Sequence, residues 1–381
     1  MPTIAHVLHR LYLAGAEVLA AALARELRGR YTFIFFCLDE IGPLGRQLAA
    51  EGFTVVDLQR RPGLDLAVAR RMRRLVREHG VRLLHAHQYT PFFYAAASRG
   101  IGGLVTGEPR LLFTEHGRHY PDVRKRRRVW ANKLLLRPRD RVTAVGRFVK
   151  QALATNEGID PPRIEVVYNG IDEAAFDVGR DAALRGQVRG ELGIDGATPV
   201  LLHVARFHPV KDHATGLRGF ALAVRRMRDG NAAAPLLLLV GDGEKMGEAE
   251  ALAGELGVAD RVRFLGVRTD VPRLMAAADA FMLSSLSEGV SVTLLEAMAA
   301  RLPIAATDVG GNEEVVADGV AGLLSPRGDH EALGRHLSRL LSDAELRYRL
   351  GDAGRQRVLE TFTQQQMHTR YASIYEAMLN E

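Results

Sequence analysis

The chain has 381 residues, 47% apolar and 25% charged, with one cysteine and a net charge of +6. That balance is ordinary for a globular protein and excludes a wholly disordered chain. The single Cys37 excludes an intrachain disulfide and a thiolate zinc site, and no apolar run nears the ~18 residues a membrane span needs. At about 100–200 residues per domain, the length predicts two domains.

The opening M-P-T-I-A-H-V-L-H-R has no basic segment followed by an apolar stretch, so a buried strand is expected there rather than a secretory signal. The expected compartment is the cytoplasm. Strands are predicted at Thr3–Leu8, Thr32–Leu38, Thr54–Leu58, Arg82–His85, Leu111–Thr114, Arg141–Val145 and Ile164–Tyr168. Cys37 falls in the second of these and reads as a small core residue. Between the strands lie helical patterns such as Ala16–Arg28 and Leu66–Arg77. Near-continuous apolar strands alternating with helices predict a doubly wound parallel α/β sheet. The pattern breaks across Asn169–Gly196, beginning with the turn signal Asn169-Gly170, and the interdomain connection is expected there. A second series follows, with strands at Pro199–Val204, Pro235–Val240, Val262–Leu265, Ala280–Leu283, Pro303–Ala306 and Ala321–Leu324, and a closing helical pattern at Phe362–Leu379. The predicted organisation is a domain over 1–178, a second over 179–361, and a helix over 362–381 returning to the first.

Residues 1–178 hold 28 Lys and Arg against 18 Asp and Glu, a balance of +10, and the rest of the chain is at −4. A basic half suits a phosphorylated ligand or an anionic membrane. Nucleic acid is disfavoured, because there is neither zinc-finger spacing nor an aromatic-interleaved basic repeat. The run Arg124, Lys125, Arg126, Arg127, Arg128, closed by Trp130, reads either as a solvated helix face or as a docking face for anionic lipid.

Ligands of doubly wound sheets bind beyond the carboxyl ends of the strands, so chemistry is sought after each strand. Arg206 and Lys211 share one loop, A-R-F-H-P-V-K-D; they suit a diphosphate, or are two solvated charges. The G-D-G-E-K-M-G segment lacks both nucleotide fingerprints and reads as a glycine turn. In S-S-L-S-E-G-V-S-V-T-L-L-E-A-M-A, a helix beginning near Val292 puts Glu288 in the preceding loop and Glu296 in the second turn. Gly289, Val290 and Ser291 would then offer backbone N–H groups at a helix N-terminus, an anion site. The same spacing also fits two unrelated glutamates. In T-D-V-G-G-N-E-E-V-V, Gly310-Gly311 permits close backbone approach. The histidines of H-A-H and E-H-G, His87 and His116, do not group with enough ligand residues to predict a metal.

Together these segments, with F-L-G and G-G-N-E-E-V-V-A-D-G-V-A-G-L-L, resemble the C-terminal domain of the retaining glycosyltransferases of family four, group 1, from about Pro199 to Pro326. The resemblance implies the GT-B fold, two Rossmann-like domains facing a cleft, and transfer of a hexose from a nucleotide-diphosphate sugar to an acceptor hydroxyl in bacterial-type polysaccharide or glycolipid assembly. It implies that Arg206 and Lys211 neutralise the donor diphosphate, Glu296 binds the ribose, and Glu288 contacts the transferred sugar beside Gly289 to Ser291. Backbone near Gly266-Val267 would meet the base. In the first half, L-A-G-A-E departs at Ala14 from the family's Gly-Gly loop, with Gly15 retained for the diphosphate. Thr114-Glu115-His116-Gly117 resembles the family's T-x-H-G, implying contact of His116 with the transferred sugar. N-G-I-D at 169–172, with Phe176 beyond, resembles its hinge. No D-x-D triplet occurs, and neither metal nor cofactor is expected. The partners implied are a nucleotide sugar and a glycan or lipid-linked acceptor, with an anionic membrane surface as a further partner and a peripheral location on it. A two-domain nucleotide-sugar 2-epimerase is the alternative, distinguished by needing no acceptor.

Overall fold

The computed structural model describes residues 1–12, 15–100, 109–117, 124–230 and 232–380. Ala14, singled out above, lies outside the described residues. The chain forms two compact units, one of Met1–Asn169 with Gln365–Glu381, the other of Gly170–Gln364. The sequence-based limits at 178 and 361 both fall inside unit 2, which opens within N-G-I-D.

Unit 1 holds seven strands: β1 (Thr3–Arg10), β2 (Thr32–Glu40), β3 (Thr54–Asp57), β4 (Val81–His87), β5 (Arg110–Glu115), β6 (Arg141–Ala144) and β7 (Ile164–Val166). They pair in parallel in the order β3-β2-β1-β4-β5-β6-β7. Every predicted strand is present. The reason is visible in β2, where Phe33 to Leu38 are all buried; a strand covered on both faces has no polar side to show. Cys37 is among them, its thiol pushed up to about 12 by burial. The helix Leu66–Glu78 starts where Asp65 accepts a hydrogen bond from Ala67 N, satisfying an otherwise orphaned donor. The C-terminal helix Gln364–Asn380 buries Met367, Tyr371, Tyr375 and Met378 at helical spacing. It packs on unit 1: Tyr375 meets His85 of β4, the hydroxyl 2.6 Å from Nδ1.

Unit 2 holds β8 (Val200–Val204), β9 (Leu236–Val240), β10 (Val262–Phe264), β11 (Ala280–Leu283), β12 (Ile304–Thr307) and β13 (Gly322–Ser325). Their parallel order is β10-β9-β8-β11-β12-β13. Both sheets thus reverse direction of growth beside their first strand, the doubly wound order. The unit 2 core joins Leu201, Leu237, Leu239 and Met282 of the sheet to Leu217, Phe220, Leu333 and Leu337 of the helices His213–Asp229 and His330–Ser342. No helix among the described residues is long and apolar enough to cross a membrane.

The region read as irregular connection differs. Residues 173–180 are turns, but Ala182–Glu191 is a helix. Its anchors are arginines rather than apolar residues, so hydrophobic periodicity does not reveal it. Arg189, buried, donates to Asp279 at 2.8 Å, and Arg185 donates to the same carboxylate at 2.7 Å. Asp279 also accepts from Val200 N at 2.7 Å, fixing the start of β8. Removing one partner of a buried ion pair leaves an uncompensated charge, typically costing about 3–5 kcal/mol. Asp279→Ala is expected to lower unfolding free energy by about that amount, measured by urea denaturation. A change within about 0.5 kcal/mol, the range of ordinary surface substitutions, would show that the clamp does not hold unit 2 together.

Candidate active site

In unit 2, β8 and β11 are neighbours, with Leu201 opposite Ala280 and Leu202 opposite Phe281. The loops that leave their carboxyl ends therefore emerge side by side. The β8 loop forms a short turn, Pro209–Lys211, then Asp212 with φ of 43°, whose side chain accepts from Thr215 N at the head of the next helix. The β11 loop is tied to it by Leu286 N donating to Val210 O at 2.7 Å and Ser284 Oγ donating to Asp212 O at 2.9 Å. Lys211 Nζ is thereby brought 2.6 Å from Glu288 Oε1, both side chains mostly buried. Arg206, by contrast, is exposed, and its side chain has no hydrogen bond or ion pair to any described residue.

Glu288 is held from both sides. Ser285 Oγ donates to the same Oε1 at 2.5 Å. Thr307 Oγ1, at the end of β12, donates to Ser285 O at 2.6 Å, and Asn312 Nδ2 donates to Thr307 O at 2.9 Å. Sequence reasoning passed over Ser285, Thr307 and Asn312; their only signal was polar residues at strand ends. Gly310 lies against this loop at φ of 60°, and a Cβ there would sit 1.9 Å from Glu288 O. The close approach expected of the Gly310-Gly311 pair is thus to the glutamate loop itself.

The helix Val292–Ala299 begins where predicted, with Ser291 at its N-cap and no side chain capping it. Its first N–H groups remain available to an anion. Gly289 and Val290 lie in the loop just before it. Glu296, one turn in, is partly buried, its carboxyl has no partner among the described residues, and it is pushed up to about 7 by desolvation. A carboxyl so placed lacks the donors that would stabilise its charge. After β10, Gly266 O accepts from Gly241 N at 2.8 Å, and Val267 is 73% exposed, an apolar side chain left open at the carboxyl edge. The G-D-G segment is structural: Gly241 has φ of 138°, and a Cβ there would meet Ala205 O at 2.1 Å.

In unit 1, Gly15 opens the helix Gly15–Glu26 after β1 and is exposed. His116 lies just past β5 and His87 ends β4. The two are joined, His87 Nδ1 to His116 Nε2 at 2.9 Å, and His87 Nε2 continues to His6 Nδ1 at 2.9 Å. His85 bridges Tyr375 and Thr114, at 2.6 and 2.7 Å. Burial keeps all four uncharged, His6 at about 3, His116 at about 4, His85 and His87 well below their ordinary value. Sequence reasoning named His116 and His87 but not His6, which is 81 positions from His87 and meets it only through strand pairing. His6, His85 and His87 each place a ring nitrogen within 4.8 Å of the others, a grouping that sequence spacing did not suggest. All their nitrogens but His6 Nε2 are hydrogen-bonded, so the cluster is a polar network as it stands.

The basic segment forms the helix Arg126–Leu135. Arg124, Lys125, Arg126 and Arg127 are exposed, as is Trp130, at 69%, with Lys133 Nζ 5.4 Å from its ring centre. Arg128 corrects the reading of five adjacent surface cations. It turns inward to Glu157 at 3.0 Å and lies 4.4 Å over Tyr89, because helical periodicity puts it on the same face as buried Asn132. Leu134, 84% exposed, joins Trp130 on the outer face instead.

Family profiles match on both units: Glycosyl transferases group 1 over residues 185–357 and Glycosyltransferase Family 4 over residues 13–175. N-acetyl-alpha-D-glucosaminyl L-malate synthase of Bacillus anthracis is 32% identical over 326 residues, 84% of this chain and 81% of the relative. D-inositol 3-phosphate glycosyltransferase of Salinispora arenicola is 34% identical over 238 residues, 60% of this chain and 53% of the relative. The structure of Anabaena HepE in complex with UDP superposes with a TM-score of 0.85 at 20% identity, covering 99% of this chain and 100% of that one, a likeness of fold. The epimerase alternative gains no support, since both matched families are glycosyltransferase families. With two profiles that divide the chain as its sheets do, and a relative alike along most of both lengths, the chain belongs to the group 1 glycosyltransferases of family four and has their GT-B fold.

Proposed function

We propose that this glycosyltransferase moves a hexose from a nucleotide-diphosphate sugar to a hydroxyl of a glycan or lipid-linked acceptor, with retention and without a metal, in bacterial-type polysaccharide or glycolipid assembly. The observation that carries the reading is Lys211 paired with Glu288 beside the uncapped N-terminus of the Val292–Ala299 helix. A cation, an uncapped helix N-terminus and a carboxylate with Oε1 already engaged offer donors to a diphosphate and an acceptor to sugar hydroxyls.

In this reading Arg206, Lys211 and the N–H groups at Gly289, Val290 and Ser291 take the diphosphate. Fixed donors aimed at the leaving group stabilise its growing charge as a metal would elsewhere. Glu288 turns Oε2 to the transferred sugar, Glu296 accepts from the ribose hydroxyls, and backbone beside Val267 meets the base. His116 is assigned the transferred sugar and Gly15 an anionic group, both from unit 1. Retention follows from the resemblance, in which the leaving phosphate assists deprotonation of the acceptor on the same face. The cytoplasm, where nucleotide sugars are made available to such enzymes, is the proposed compartment.

The exposed face of the basic helix supports peripheral attachment to an anionic membrane. Arg124, Lys125, Arg126 and Arg127 flank an exposed Trp130 and Leu134, and each cation near such a surface contributes about 1 kcal/mol.

Three outcomes test the reading. Turnover is expected to survive a chelator, while Lys211→Ala is expected to lower kcat/KM about 100-fold, the scale of losing one stabilising donor, in protein whose melting curve shows it folded at the assay temperature; loss of turnover in chelator, restored by magnesium or manganese, sinks the metal-free assignment. For Glu296, only the deprotonated carboxyl accepts two hydroxyl donors, and burial holds it near 7. Nucleotide affinity is therefore expected to rise from pH 5.5 toward about 7 and level off above it. Glu296→Gln is expected to weaken binding by about 1.5–3 kcal/mol, the range for bonds to a charged acceptor, and to abolish the pH dependence; calorimetry showing a flat wild-type profile removes Glu296 from the ribose. Co-sedimentation with anionic but not neutral vesicles is expected at low salt, fading as screening shortens to ~8 Å at physiological ionic strength, and lost in Arg126→Ser/Arg127→Ser. Equal sedimentation with both lipids defeats the membrane assignment.

A further inference from the structure

The loop that leaves β8 carries Arg206 and Lys211, and a ring stands close to each. Phe207 follows Arg206, and His213 comes two residues after Lys211. The two rings stack 4.1 Å apart at 15°, and His213 lies in turn 4.7 Å from the ring of His203, on β8, at 24°. Phe207, His213 and His203 are all buried. The contact between Phe207 and His213 closes the loop on itself, with one cation near either ring.

The two histidines enter this stack as flat rings. Neither nitrogen of His203, nor Nδ1 of His213, has a hydrogen-bond partner among the described residues. Burial, and after it the charge of Lys211, holds His213 at about 4. Its ring is therefore neutral and adds no charge to the loop. Neutral stacked rings gain dispersion and quadrupole terms beyond the area they bury.

The backbone beside Arg206 is tied on both sides. Ala205 N donates to Val240 O at 3.0 Å; Phe207 N donates to Asp242 O, and Phe207 O accepts from Lys245 N, both at 2.9 Å. Lys211 has ties of its own, to Glu288 and through the β11 loop. Arg206 has no side-chain partner among the described residues and is exposed, while Phe207 next to it is buried. The anchored neighbour is what sets its place.

We infer that Phe207 and His213 are positioning residues: their stack holds the backbone of Arg206 at a fixed place relative to Lys211, so that the two cations meet one diphosphate together. The inference rests on the assignment of Arg206 and Lys211 to the donor diphosphate. An arginine side chain already loses rotamer freedom when it binds, and a loop fixed beforehand adds nothing to that cost.

The test is calorimetry on the full chain with UDP, GDP, ADP and dTDP, carrying through the one that binds the wild type most tightly. Arg206→Ala is expected to weaken it about tenfold, the scale of one charge-assisted bond. Phe207→Leu keeps an apolar side chain but has no ring face. It is expected to cost about fivefold in the wild-type background and less than about twofold when Arg206 is already Ala, as for residues that act together. Combined with Glu296→Gln it is expected to stay additive, which general loosening of unit 2 would not give. His213→Leu is expected to repeat the loss, and His213→Phe, a flat ring without nitrogens, to stay within about twofold of the wild type, the spread of uncoupled sites.

An equal loss from Phe207→Leu with and without Arg206 overturns the inference, as does a His213→Phe protein as weak as His213→Leu. Should Phe207→Leu fail to fold, the two His213 variants in both Arg206 backgrounds decide. Affinity unchanged in Arg206→Ala, or a wild type that binds none of the four, removes the underlying assignment and the inference with it. A loss in Arg206→Ala to which Phe207→Leu merely adds removes the inference alone.

Discussion

A parallel sheet that grows first one way and then the other leaves two crossover loops adjacent at the reversal, with no helix packed between them. In unit 2 that constraint decides what meets. Lys211 follows β8 and Glu288 follows β11, 77 positions away, yet their charged atoms are 2.6 Å apart because β8 and β11 pair directly. The next loop, after β12, then closes on the backbone of Glu288 so tightly that only glycine fits at position 310. Thr307 and Asn312 brace the serine that holds the carboxylate. The charge arrangement is thus set by strand order and backbone contact before any ligand arrives, and preorganised groups need no reorganisation when charge develops.

Such preorganisation works against stability, and Glu296 shows the sign. Its carboxyl is raised from 4.5 to about 7 by burial alone. For an acid this favours folding below the unfolded value, and the advantage is lost as pH rises through about 7. Above about that pH the free protein keeps a carboxylate without donors in a partly dry place. Hydroxyl donors from a ligand, as proposed for the ribose, would supply what it lacks.

What was legible from residues alone follows from which forces are local. Buried parallel strands are continuous apolar runs, and all strands of both sheets were read from that property, as was the helix start at Val292. Where a residue's partner depends on register, reading stopped. His6 looks like one polar residue in a strand until β1 is laid beside β4. The helix Ala182–Glu191 is held by Arg185 and Arg189 on Asp279, a pattern that resembles a polar linker in one dimension. Arg128 sits in a run of like charges, and only the helical turn separates it from the rest. The paired glutamates were readable because the loop-to-helix transition between them is local; Ser285, whose hydroxyl holds Glu288 three positions on, was passed over, and Thr307, which braces Ser285 from the end of β12, acts only through strand pairing.

Two sheets of the same strand order carry opposite chemistry at corresponding places. At its reversal unit 2 sets a lysine, a glutamate and an uncapped helix end, fixed charge suited to a phosphorylated ligand. Unit 1 sets histidines and threonines that burial keeps neutral: His6, His85, His87, Thr114 and Thr143 are all nearly inaccessible. Charges at that depth would each carry a desolvation penalty of several kcal/mol, whereas a hydrogen-bonded neutral network carries almost none. A neutral network still has direction, because every N–H and O–H must face a lone pair. Its covering helix enters the same scheme, with Tyr375 against His85 and the Thr114–Thr143 pair close by at 2.6 Å. Unit 2 thus presents fixed charge at its reversal, and unit 1 a directed set of neutral hydrogen bonds.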